Sequence, residues 1–80
     1  MKKEYYVKYR LKNGYDYTFW YVESTDPILK GSENKYDAYL GEKQEMQSVY
    51  NLLSKRMFEV FLVKATKDLL NKKTIKEIIE

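Results

Sequence analysis

The feature that most narrows what this chain can fold into is Asn13-Gly14, set between two stretches of strand-like pattern. Before it, Tyr5, Val7, Tyr9 and Leu11 alternate with Tyr6, Lys8, Arg10 and Lys12. After it, Tyr15 to Val22 is rich in aromatic and β-branched residues. Alternation with a period of two places one set of side chains on each side of a strand. Asn-Gly supplies the two positive φ angles of a type I′ turn. Residues 4–23 therefore predict a β-hairpin.

A two-residue turn also predicts the register. Lys12 falls opposite Tyr15, Arg10 opposite Tyr17, Lys8 opposite Phe19 and Tyr6 opposite Tyr21, all on one side of the hairpin. A three-residue turn with a bulge would shift this pairing and scramble the face. The other side collects Tyr5, Val7, Tyr9, Leu11, Thr18, Trp20 and Val22 and reads as a core face, with Trp20 in the interior.

Downstream the pattern changes period. Residues 24–35 read as a loop, with a helical turn that starts at Asp26-Pro27 and stops at Gly31. Residues 35–40 offer a short strand, with Tyr36, Ala38 and Leu40 on one side. Residues 43–56 predict a helix whose apolar stripe is Met46, Val49, Tyr50, Leu53 and Met57. Phe58 to Lys64 predicts a strand apolar on both sides, with Phe58, Val60 and Leu62 on one and Phe61 and Val63 on the other. Such a strand is expected in the middle of its sheet. The tail from Thr66 is helical, with Leu69, Leu70, Ile75, Ile78 and Ile79 as apolar positions. A capping box at Thr74 to Glu77 would divide it into two short helices.

These elements add up to an α+β fold. The N-terminal hairpin and one or two further strands form a mostly antiparallel sheet, packed by a central helix and a C-terminal helix. Eighty residues allow one domain, 1–80, and not two. Hydrophobic residues make up 44% of the chain, enough to fold despite its many charges. The absence of cysteine points to a reducing compartment, and no apolar run resembles a signal peptide or a membrane span. A cytoplasmic location is expected.

Composition also narrows the chemistry. With no histidine and no cysteine, the commonest general acid/base, the thiol nucleophile and the usual zinc ligands are missing. The three glycines stand too far apart for a phosphate cradle. Asp37, Glu42, Glu45 and Glu59 with Lys64 have no spacing that sets them apart from solvated charges. No catalytic residue, cofactor site or metal site is expected, and the chain is not expected to be an enzyme. Lys72, Lys73 and Lys76 read as the solvated side of a late helix.

The hairpin face remains. It gathers Tyr6, Lys8, Arg10, Lys12, Tyr15, Tyr17, Phe19 and Tyr21, placing cations beside aromatic rings. Cross-strand neighbours are close enough for cation–π contact. Tyrosine and arginine are typical anchors of protein interfaces, so the expected function is a small non-catalytic protein-binding module. Small proteins of this kind, with the lysine- and tyrosine-rich usage of an AT-rich genome, resemble the accessory proteins of phages and mobile elements. By that resemblance the chain would inhibit a host or defence protein by occupying its surface. The alternative is a nucleic-acid-binding protein whose rings stack on bases while Lys8, Arg10 and Lys12 meet phosphates. A homodimer could instead pair two such faces. The net charge of +3 decides nothing between these readings.

Overall fold

The computed structural model describes residues 2–12, 18–26 and 28–72. The Asn13-Gly14 turn, Tyr15, Tyr17, Pro27 and the tail beyond Lys72 lie outside them. So do Lys73, Lys76, the capping box at Thr74 and Ile75, Ile78 and Ile79.

Four strands form one antiparallel sheet: β1 (Tyr5–Leu11), β2 (Trp20–Ser24), β3 (Lys30–Ser32) and β4 (Phe58–Lys64). Their spatial order is β3-β2-β1-β4. The α+β arrangement and the N-terminal hairpin are as the sequence predicts. β1 is central because both its edges are used. It pairs with β2 at Lys8↔Tyr21 and Tyr9↔Trp20, and with β4 along its whole length, from Tyr5↔Lys64 to Leu11↔Phe58.

The hairpin register differs from the expected one. Lys8 is opposite Tyr21, not Phe19. Relative to the expected register, β2 is shifted by two residues. Two residues is a whole side-chain period, so the shift leaves every described side chain of β1 and β2 on its expected side.

One side of the sheet is the core. Val7 and Val22 point into it together with Met46 and Leu53, all at 0% exposure, and Tyr9 and Val49 join them. The helix α1 (Lys43–Ser54) supplies Met46, Val49 and Leu53 at 3.6-residue spacing. It ends earlier than expected, with the Arg56 N–H donating to the Leu53 carbonyl. Met57 therefore lies beyond the helix and is 81% exposed, so it does not belong to the stripe. Trp20 is half-buried at the rim of the core, not inside it. Leu11 and Thr18, at the far end of the hairpin, are exposed.

Three expectations for the middle of the chain are corrected. Lys30–Ser32 is a strand, not the end of a helical turn. The reason is tertiary: a Cβ on Gly31 would run into the Tyr9 ring, so glycine lets β3 close against β2 over that ring. Residues 35–40 are not a strand. Lys35–Asp37 is a single 3-10 turn capped by Asn34, whose Oδ1 accepts from the Tyr36 N–H at 3.0 Å. The chain then makes isolated sheet contacts, Tyr39 N–H to the Val22 carbonyl at 2.8 Å and a bridge between Gly41 and Tyr5. Finally, β4 is an edge strand, not a central one.

Residues 67–72 are helical. The Thr66 hydroxyl accepts from the Leu69 N–H at 3.3 Å and so caps the first turn. Ala65 and Leu69 are buried. Among the described residues, no helix is long and apolar enough to cross a membrane.

Candidate functional site: the aromatic and basic sheet face

The side of the sheet opposite α1 carries the residues picked out above. Tyr6, Lys8 and Arg10 project from β1, and Tyr21 and its neighbour Phe19 from the β2 side. Because Tyr6↔Val63, Lys8↔Phe61 and Arg10↔Glu59 are paired positions, β4 adds Glu59, Phe61 and Val63 to the same face. All eight of these residues are half-buried. Lys12 is exposed at the end of the strand.

The β4 contribution is not evident in the sequence. The apolar second side of Phe58 to Lys64 is legible, but such a pattern implies the interior of a sheet. It lines this face instead.

The rings form two groups. Phe19 and Phe61 meet edge-on, with centroids 5.8 Å apart and planes at 67°. Tyr6 and Tyr21 are tilted at 5.9 Å. Such pairs add about 0.5–1.5 kcal/mol beyond area burial. Lys8 Nζ lies 4.4 Å from the Phe19 centroid and 5.7 Å from that of Phe61. The two-residue shift has turned the expected direct neighbours Lys8 and Phe19, and Tyr6 and Tyr21, into diagonal ones. Long side chains still span the diagonal.

Arg10 serves two partners. Its Nε donates to Glu59 Oε2 at 2.9 Å, and its guanidinium carbon stands 5.2 Å from the Phe19 centroid. Arg10 holds the Glu59 carboxyl below its ordinary pKa, chiefly through this hydrogen bond, with the charges of Arg10 and Lys12 adding to it. Burial, and then the neighbouring Tyr21, push the Tyr6 hydroxyl above its usual value. Both groups stay in their ordinary neutral-pH forms, so neither is poised for proton transfer.

The remaining carboxylates do not converge. Asp37 accepts from the Ser32 hydroxyl at 2.8 Å, and Glu45 from the Tyr39 hydroxyl at 2.9 Å. Among the described residues no group of three or more acidic side chains could hold a metal ion. No family model matches the chain, and searches of curated proteins and of solved structures return no match.

Proposed function

We propose that this chain is a small non-catalytic protein-binding module that acts by occupying its partner's surface through the aromatic and basic sheet face. The observation that carries this reading is how the charges of the face are handled. Arg10 is committed to Glu59, Lys12 stands in the field of the same carboxylate, and Lys8 rests on Phe19 and Phe61. A phosphate-binding surface turns its cations towards the ligand, whereas here Arg10 is paired and Lys8 is laid against rings. This face offers rings and an arginine with its charge already balanced, the composition that supplies anchors at protein interfaces. Phe19, Phe61, Tyr6 and Tyr21 are the anchors, and Arg10 and Lys12 lie at their rim. An inhibitor of a host or defence protein would act in this way, by blocking a surface without chemistry.

The test is site-specific photo-crosslinking. A photoreactive residue replaces Tyr21 on the face or, as control, Leu52 on the outer side of α1. A protein adduct that forms at 21, not at 52, and is lost in a Phe19→Ala/Phe61→Ala background supports the reading. Binding of single-stranded RNA or DNA that falls steeply with salt, at about 0.7 log units per phosphate contact, would replace it with the nucleic-acid reading.

A further inference from the structure

The two edges of this sheet are finished in opposite ways. β3 is three residues long, carries Lys30 and pairs through a register break between Val22 and Ser24. Short length, lysine and a bulge are the usual devices that stop an edge from recruiting another strand. β4 has none of them over Phe58 to Val63. It is seven residues long, pairs with β1 without a break, and places its lysine only at the last position.

Two backbone bonds fix which groups β4 leaves unpaired. The Ala65 N–H donates to the Glu4 carbonyl at 2.6 Å and the Lys12 N–H to the Met57 carbonyl at 3.4 Å. Both couples continue the register of Tyr5↔Lys64. Antiparallel ladders alternate, so Glu59, Phe61 and Val63 turn their N–H and C=O towards β1. Phe58, Val60, Leu62 and Lys64 turn theirs outward. Among the described residues, no backbone partner meets these outward groups. A cleft of ≈ 580 Å³ follows this edge, lined by Gln47 and Tyr50 of α1, by residues 60–63 and by Lys8.

We propose that this edge pairs with the β4 edge of a second copy of the chain, antiparallel about a two-fold axis through Phe61. The strand suits itself as a partner. Centred on Phe61, Phe58 pairs with Lys64 of the second copy and Val60 with its Leu62. All four outward residues of both strands are then engaged, in about eight hydrogen bonds. Centring on Val60 or Leu62 leaves one outward residue of each strand without its match, and the Val60 centre sets Arg56 against Lys64. In the Phe61 register no like charges meet, since Glu59 falls opposite Val63 and Lys64 opposite Phe58. The α1 side chains at the cleft, Gln47 and Tyr50, are uncharged, so no α1 cation or carboxylate is desolvated. The product is an eight-stranded sheet in which the two aromatic faces become one. The strand spans about 24 Å, which places the contact near the lower bound of specific interfaces, about 1,000 Å². The dimer is accordingly concentration-dependent. This inference concerns the edge and does not rest on the protein-binding reading of the face.

Sedimentation velocity tests it. The wild-type chain should pass from one-copy to two-copy mass between about 10 μM and 1 mM, the range of a small interface. Phe61→Lys and Phe61→Glu each set like charges across the axis, so each alone should stay monomeric, with circular dichroism checking that it is folded. Mixed in equal amounts they should restore the dimer, which no folding defect could do. Should neither variant fold, Lys64→Pro removes an outward N–H, leaves the β1 ladder intact, and should weaken association several-fold. A wild-type chain monomeric through 1 mM overturns the proposal and leaves the edge to a strand of another protein. Dimers that persist in Phe61→Lys, a mixture that stays monomeric, or association unchanged by Lys64→Pro in place of an unfolded pair also overturn it.

Discussion

A disulfide placed across the hairpin reads the register that assembles the aromatic and basic face. The even positions of β1 turn their backbone polar groups towards β4, as the Lys12 and Glu4 bonds show. The odd positions turn theirs towards β2, as the mutual Tyr5 and Gly41 bonds do on that side. Lys8↔Tyr21 is therefore a non-hydrogen-bonded pair, with Cα atoms about 4.5 Å apart. That lies within the range a disulfide spans. In the two-residue-turn register Lys8 would face Phe19 instead. In the structure that couple is displaced by two positions along the strand, which puts its Cα atoms about 8 Å apart and beyond disulfide reach. The chain has no cysteine, so the introduced thiols are the only ones to react. Lys8→Cys/Tyr21→Cys should lose both free thiols on mild oxidation. The bond closes a loop of about fifteen residues and should stabilise the fold by about 3 kcal/mol. For a domain of this size that raises Tm by roughly 12–24 °C over the reduced form. Lys8→Cys/Phe19→Cys should keep its thiols. Thiol titration and thermal unfolding with and without reductant report both quantities. Rapid oxidation of the 8/19 pair and resistance of the 8/21 pair would refute the register and every contact on the face derived from it.

Three further outcomes follow from the core and the face. Leu53 is fully buried and Leu52 is 51% exposed, so Leu53→Ala should cost about 2–5 kcal/mol and Leu52→Ala about 0.5 kcal/mol. Comparable urea midpoints for the two would show that the phase of α1 is wrong. A Cβ on Gly41 would come within 2.7 Å of Met46 Sδ and 3.0 Å of its Cγ, so Gly41→Ala should cost about 1–3 kcal/mol by overpacking. An unchanged denaturation midpoint would show that the bridge to Tyr5 is looser than described. Glu59 has its pKa lowered by Arg10. Its contribution to stability is thus present above the unfolded-state pKa and is lost as pH falls through the lower folded-state value. Carboxyl NMR should find Glu59 titrating below an ordinary glutamate and returning towards it in Arg10→Ala. A Glu59 that titrates normally in the wild-type chain would break the charge argument for the face.

What the sequence revealed, and what it concealed, divides by the range of the interactions. The hairpin and α1 were legible because their patterns are local: two-residue alternation through Tyr5 to Lys12, and the 3.6-residue stripe of Met46, Val49 and Leu53. β3 was not, because Lys30-Gly31-Ser32 has no strand propensity and exists through contact with β2 and the Tyr9 ring. Gly31, read as a helix stop, is where it is because of a residue far away in sequence. The position of β4 was misjudged for a related reason. A strand apolar on both sides implies cover on both sides, whereas among the described residues its second side lines the half-buried aromatic face and its outer edge bears no strand.

The described part of the face does not depend on the register shift, and the reason is parity. A register shift of one residue would have sent Lys8 and Arg10 towards one side and Phe19 and Tyr21 to the other. The actual shift is two, so it exchanged direct neighbours for diagonal ones and left Tyr6, Lys8, Arg10, Phe19 and Tyr21 on one side. Even the expected cation–ring contact at Lys8 and Phe19 is made, at 4.4 Å, across the diagonal. What parity could not supply is the partner of Arg10. Glu59 comes from a strand 49 positions away in sequence, and it is this carboxylate that pairs Arg10 and lowers the charge of the face, leaving Lys8 and Lys12 as its net positive charge. The protein-binding reading is thus carried by a tertiary contact. Glu59→Gln is the substitution that would move the surface towards the nucleic-acid reading: if it creates salt-sensitive binding to single-stranded nucleic acid where the wild type has none, charge balance is what keeps the two functions apart.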